Sequence, residues 1–162
     1  DPWADAQGDG FQLVQSILAI GSGGLWGNGF GLSQQKSGYL PIQDTDFIFS
    51  VFAEEFGLIG SILLLVLVMS YATLGLLIAL RSDRLVHRLV AIGATTFIVL
   101  QSLLNIGVAA GALPTTGLPL PMFSYGGSSI VASLIQSALL IRVARESAEA
   151  KVIPLRAKQS LG

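Results

Sequence analysis

The chain has 162 residues, of which 52% are hydrophobic and 12% charged, with a net charge of −1. Its mean hydropathy is +0.70, and a soluble domain carries about a quarter charged residues, so a water-soluble globular domain is excluded. The absence of cysteine and the single histidine, His87, rule out disulfides, thiolate metal sites and a histidine metal cluster, and the near-neutral charge gives nothing for nucleic acid to bind.

The first residues, DPWADAQGDG, are polar and turn-like without a basic leader, and the chain is read as starting inside a larger protein. Phe11–Ile20 follows as a short amphipathic helix, with Phe11, Val14, Ile17 and Leu18 at helical spacing and Gly21 placed to end it. It is too short to cross a bilayer and suits an interface or a seat under a loop. Ser22–Gly38 is dense in glycine, each of which costs about 1 kcal/mol in a helix interior; it reads as a structured loop anchored by Leu25, Trp26 and Phe30.

No charge occurs between Glu55 and Arg81, nor between Arg88 and Arg142. Apolar runs of about 20 residues span a membrane, and the second gap has room for two crossings. The expected fold is therefore an all-α polytopic membrane protein with three spans, over 47–80, 89–111 and 128–145. The first helix is expected to begin near Asp46 and the second near Leu85. The segment 1–46 is an outer loop, 81–88 a connection with three arginines, 112–127 a loop broken by Pro114, Pro119 and Pro121, and 146–162 a polar, frayed tail. Arg81, Arg84 and Arg88, together with Arg142, Arg145, Lys151, Arg156 and Lys158, assign the connection and the tail to the cytoplasmic side. The N-terminal and proline-containing loops then share the extracytoplasmic side, whose one basic residue is Lys36.

Candidate chemistry gathers on that outer side. In YLPIQDTDFIF, Asp44 and Asp46 stand at the mouth of the first span. They serve either as helix caps, since acids favour a helix N-terminus, or as a general base, since partial desolvation lifts a carboxylate toward working pH. Asp46, Ser50 and Glu54 fall on one helical side, with Glu55 nearly opposite. The two glutamates are either functional membrane acids or partners for the helix dipole and neighbouring helices. Lys36 either pairs with a phosphate or is a solvated loop lysine. In SYGGSS, Ser124, Ser128 and Ser129 either help present backbone N–H groups to an anion or form a plain turn and N-cap. Gln101 and Asn105 read as interhelical hydrogen-bond partners, and His87 as solvated.

Three stretches, GDGFQLVQSILAIGSGGLWGNGFGLSQQK, YLPIQDTDFIFSVFAEEFGLIG and GALPTTGLPLPMFSYGGSS, occur in this order and extend over most of the chain to about Ser147. Together they resemble the SEDS family of bacterial membrane proteins (FtsW, RodA and SpoVE). SQQK followed by YLP looks more like the FtsW branch, and the wording around Asp44 is similar to cyanobacterial versions. The resemblance implies a bundle of about ten transmembrane helices, of which this chain would be the large outer loop and the last three. It implies a peptidoglycan glycosyltransferase in the cytoplasmic membrane, at the division septum, that polymerises lipid II. In that reading Asp46, the aspartate of the TDFIF motif, deprotonates the acceptor 4-hydroxyl, which attacks C1 of the donor as undecaprenyl diphosphate leaves. Gln35 and Lys36 match the family's QK pair, and with Asp44, Thr45, Glu54, Ser124, Ser128 and Ser129 they are the substrate-binding candidates. The leaving diphosphate calls for positive charge or a divalent ion such as Mg2+ or Mn2+; no cofactor is assigned. Implied partners are a class B penicillin-binding protein, other divisome proteins and membrane lipids, with no nucleic acid. Ile42 and Asp44 depart from the family's usual Glu and His, and Thr116 stands where some members have lysine. A lipid II flippase or a non-catalytic division scaffold are the alternatives, although the spans hold few polar residues for a transport path, chiefly Gln101, Asn105 and Gln136.

Overall fold

The computed structural model describes residues 11–29, 47–124 and 127–159, with 149–159 by backbone alone. The described chain is all-α, in four helices: α1 (Phe11–Ser22), α2 (Ile48–Arg81), α3 (Leu85–Ala109) and α4 (Gly127–Gln159). The last three are each long and apolar enough to cross a membrane, α4 through its Gly127–Ala148 part. Leucine, isoleucine and valine dominate their exposed faces, as expected where lipid or further helices replace water.

Helix ends differ from the sequence boundaries by local chemistry. α1 runs through Gly21 to Ser22, whose hydroxyl donates to Ala19 O at 2.8 Å. α3 stops at Ala109, where Gly111 takes φ 73° and the amides of Ala112 and Leu113 both turn back to Gly107 O. α4 continues to Gln159, well past Arg145.

The largest departure is inside α2. Gly57 has φ 65° and ψ −162°, so the helix is broken there. In an unbroken helix the amides of Leu58 and Ile59 would bond the carbonyls of Glu54 and Glu55. Instead Leu58 N donates to Gly24 O at 2.9 Å and Ile59 N to Leu25 O at 3.3 Å, while Glu54 O accepts from Asn28 N at 2.9 Å and Glu55 O from Gly29 N at 3.2 Å. The glycine turn after α1 is thus spliced into α2, and two helical hydrogen bonds become four. Each unpaired backbone group in a membrane costs several kcal/mol, so the break persists only with the turn in place. Glycine is needed on both sides of the splice: a Cβ on Gly27 would collide with the carbonyl of Glu55, and one on Gly57 with the backbone of Gly27 and Leu25.

α1 is held in the same corner by serines. The Ser16 hydroxyl donates to Ala109 O at 2.7 Å and also bonds the Ser50 hydroxyl. Since Ser16 has one proton and gives it to Ala109, Ser50 is the donor to Ser16. Around this triad Phe47, Phe49, Ala53, Val108, Ala109 and Leu120 form one apolar core. A second core, of Ala79, Ala91, Leu140 and Val143, lies at the opposite end of the spans. Between them small residues let α2 and α3 approach closely, with Gly75 against Thr95.

The proline-containing loop is hung from α3. Asn105 Nδ2 donates to Leu118 O at 2.8 Å and Gln101 Nε2 to Pro119 O at 2.9 Å. The two amides were expected to bridge helices; they instead satisfy carbonyls of a loop in which Pro119 and Pro121 have no N–H to offer a ladder.

Two outcomes follow for the full-length protein. Gly57→Ala places a side chain where φ and ψ are essentially confined to glycine, at about 1–3 kcal/mol, and should lower the thermal midpoint in detergent, whereas Gly21→Ala, whose Cβ meets nothing, should not. A Gly57→Ala protein melting with wild type would mean that α2 is continuous. Asn105→Leu leaves Leu118 O without this donor, a loss of about 1–3 kcal/mol, and limited proteolysis should then cut the 112–124 loop faster than in wild type.

Candidate functional site

The antiparallel path brings α1, the glycine turn, the start of α2, the end of α3, the proline-containing loop and the start of α4 to one end of the spans. Of the candidate residues, Glu54, Ser124, Ser128 and Ser129 lie there. Gln35, Lys36, Asp44, Thr45 and Asp46 fall outside the described residues. Phe47 follows Asp46 directly; it is buried in the apolar core and precedes the first turn of α2, where Ser50 N donates to Phe47 O at 3.0 Å.

Glu54 and Glu55 are described, and both are buried, at 2% and 6% exposure. Burial of Ser50 and Glu54 agrees with the expected common face. Burial of Glu55 does not fit a straight helix with one wet side; the splice explains it, because the turn packs its backbone over the carbonyls of both glutamates. Both residues make further interactions within the chain. Glu54 and Glu55, buried just before the break with the glycine turn bonded to their backbone carbonyls, form the densest acidic feature of the described structure.

The proline-containing loop faces the same region. Phe52 of α2 meets Phe123 of the loop edge-on at 6.1 Å and stacks tilted on Phe56 at 4.7 Å. Ser124 is buried, and its hydroxyl accepts from Leu120 N at 2.7 Å while its amide donates to Leu120 O at 3.0 Å. Its hydroxyl closes the turn 120–124. Within that turn Met122 has φ 65°, a left-handed conformation uncommon for a side-chain-bearing residue. Ser128 is exposed and Ser129 half-buried at the start of α4, and Ser129 O accepts from Ser133 Oγ at 2.8 Å. Met122 and the Gly57 break were not signalled by residue type: methionine carries no left-handed preference, and a single glycine in an apolar helix reads as tolerated.

Among the described residues no three His, Cys, Asp or Glu side chains gather as metal ligands, so the described residues alone do not supply a binding set for a divalent ion.

The other end carries an ion-pair cluster. His87 Nε2 lies 3.0 Å from Glu146 Oε2, and Arg142 Nε donates to Glu146 Oε1 at 2.8 Å. Ser82 and Ser147 hydroxyls bond at 3.0 Å. His87 is thus not a solvated bystander; it clamps α3 to α4 through a residue 59 positions away in sequence.

Comparison with known proteins follows the same lines. A probable peptidoglycan glycosyltransferase FtsW of Synechocystis sp. is 64% identical over 158 residues, 98% of this chain and 40% of that protein. A putative peptidoglycan glycosyltransferase FtsW of Mesostigma viride is 57% identical over 91% of this chain and 35% of its own length. Stage V sporulation protein E of Bacillus subtilis is 46% identical over 91% of this chain and 40% of its length. The chain thus spans about two fifths or less of these relatives. Among solved structures, a chain from work on how a peptidoglycan synthase complex coordinates polymerization and crosslinking superposes with a TM-score of 0.74 at 35% identity, covering 91% of this chain and 39% of that one. The family model for FtsW, RodA and SpoVE, described as cell cycle protein, matches residues 1–149, and the chain, a multi-pass membrane segment by its three spans, belongs to that family.

Proposed function

We propose that this chain is the C-terminal part of a peptidoglycan glycosyltransferase that polymerises lipid II in the cytoplasmic membrane during cell division. The observation that carries the reading is the 64% identity, over 98% of the chain, to a protein named as a probable enzyme of that kind. The structure supports it by what it fixes beside Asp46. The next residue, Phe47, is locked in the core, and α2 then runs under the glycine turn with Glu54 and Glu55 buried. A catalytic group loses rate steeply with small displacements, and the frame that begins at Phe47 gives the residues before it a fixed point of attachment.

In the mechanism, Asp46 takes the proton of the acceptor 4-hydroxyl. The oxygen attacks C1 of the donor sugar, and the C1–O bond to undecaprenyl diphosphate breaks. Lys36, with Gln35, stabilises the departing diphosphate; Asp44 and Thr45 flank the base, and Asp44 raises its proton affinity by like-charge repulsion. Ser128, exposed, and Ser129, half-buried, at the start of α4, line the approach of the diphosphate. Glu54 acts from beneath, through the packing of α2. A class B penicillin-binding protein is the partner that crosslinks the product, in line with the polymerization and crosslinking complex to which the similar solved chain belongs. The groove between α2 and α3, about 320 Å3, is mostly apolar, with Thr95 and Thr96 among Ala72, Leu76, Ile92 and Val99, and carries no charged group among the described residues.

The test uses the full-length protein with its transpeptidase partner. Asp46→Asn should abolish lipid II polymerisation, a loss of at least about 100-fold for a general base, while partner binding and thermal stability stay at wild-type values. Unchanged polymerisation would reduce Asp46 to a helix cap and return the flippase and scaffold readings.

A further inference from the structure

The tip of the glycine turn presents two large apolar side chains to the outside. Trp26 is 83% exposed and Leu25 62% exposed. Such exposure is ordinary on a flexible loop, but this turn is fastened on both sides, by Gly24 O and Leu25 O to the amides of Leu58 and Ile59 and by Asn28 N and Gly29 N to the carbonyls of Glu54 and Glu55. Gly27 N also closes the turn onto Gly23 O at 2.8 Å. The indole is therefore held out on a rigid mount, with no route to bury itself by local collapse.

Depth and surroundings identify what it meets. At 1.5 Å per residue, Ile59 stands about 33 Å along α2 from Arg81, against a hydrocarbon core of about 30 Å. With Arg81 at one boundary of the bilayer, the residues bonded to the turn lie at the opposite boundary, and a modest tilt leaves them there. Leu58 and Ile59, beside the turn, are themselves about half exposed, as is Leu18 of α1. No charged residue occurs from Phe11 to Gly29. A ring that stacks on a sugar is flanked by several polar groups that bind the hydroxyls; the exposed residues of the turn and beside it are mainly aliphatic, Leu18, Leu25, Leu58 and Ile59, with Ser22 and Asn28 the polar ones. Tryptophan, an apolar body with one N–H donor, is favoured at the level of lipid headgroups.

We propose that the Leu25–Trp26 tip is a membrane-interface anchor: the indole sits among the headgroups of the leaflet opposite Arg81 and holds the splice, with the α1 helix, against the lipid surface. The occupant is the phospholipid interface itself, with the indole N–H donating to ester or phosphate oxygens and the ring on the upper acyl carbons. The inference rests on the membrane crossing of α2 and not on the polymerase reading.

The test places a nitroxide at position 26 (Trp26→Cys, in a full-length protein without other cysteines) in phospholipid nanodiscs, and measures collision with oxygen and with a water-soluble nickel chelate. Asp83→Cys in the arginine-bearing connection is the aqueous reference and Leu67→Cys the mid-span reference. Because Trp26 is exposed, its replacement removes no packing, and the variant should retain the wild-type thermal midpoint. The oxygen-to-nickel ratio at position 26 should exceed that at position 83 and fall below that at position 67. In micelles enriched with a headgroup-level quencher the label should broaden more than at either reference. A ratio equal to that at position 83 would overturn the proposal in favour of a water-facing ring free to meet a sugar. Shielding from both collision partners would overturn it in favour of burial under another part of the protein.

Discussion

Everything at the loop end depends on the exchange of backbone hydrogen bonds across the break at Gly57. A helix that loses two of its own bonds beneath a packed turn must recover them from that turn, because a buried backbone group without a partner costs about 1–3 kcal/mol. Here the recovery comes from Gly24, Leu25, Asn28 and Gly29. Residues that flank a helix as a surface loop in sequence are thereby part of that helix in space. The exchange fixes the direction of the first turns of α2, the seat of α1 above them, and the burial of Glu54 and Glu55 beneath the turn. It also explains the glycine density there, which would otherwise be a cost in conformational entropy without return.

The polar residues of the spans are spent mainly on backbone groups. Ser16 and Ser50 join α1 and α2 to the last carbonyls of α3; Gln101 and Asn105 hold carbonyls of the proline-containing loop; Ser124 closes its turn. Among the described residues, Tyr71 Oη, Thr95 Oγ1 and Gln136 Oε1 are buried without a hydrogen-bond partner, apart from this network. The network resembles a frame that keeps two irregular segments rigid at one membrane surface, while His87, Arg142 and Glu146 fasten the helices at the other. For the reaction proposed above, such a frame would supply position, which is where much of the rate of a transfer between two bound substrates originates.

The three spans were legible because charge is absent over long runs and prolines mark the break between α3 and α4. The common face of Ser50 and Glu54 was legible from helical period. The splice was not. Its donors and acceptors are backbone groups, which every residue carries, and its two strands of chain lie some thirty residues apart, as Asn28 and Glu54 illustrate. Gln101 and Asn105 announce a need for partners without saying which, and His87 looked solvated because Glu146 is distant in sequence. Of the candidate site, Asp46, Asp44, Thr45, Lys36 and Gln35 were recognised through the wording of a motif and not through geometry; residue chemistry alone leaned toward capping for the two aspartates and did not decide against catalysis.

Amide hydrogen exchange in the full-length protein tests the splice most directly. Leu58 and Ile59 are poor reporters, since an unbroken helix would protect them as well. Asn28 and Gly29 discriminate, because their amides have partners only if the turn is bonded to the carbonyls of Glu54 and Glu55. The account predicts that both exchange as slowly as the interior of α2. Exchange at the rate of the open connection between α2 and α3 would contradict it, and with it the rigid frame on which the site depends.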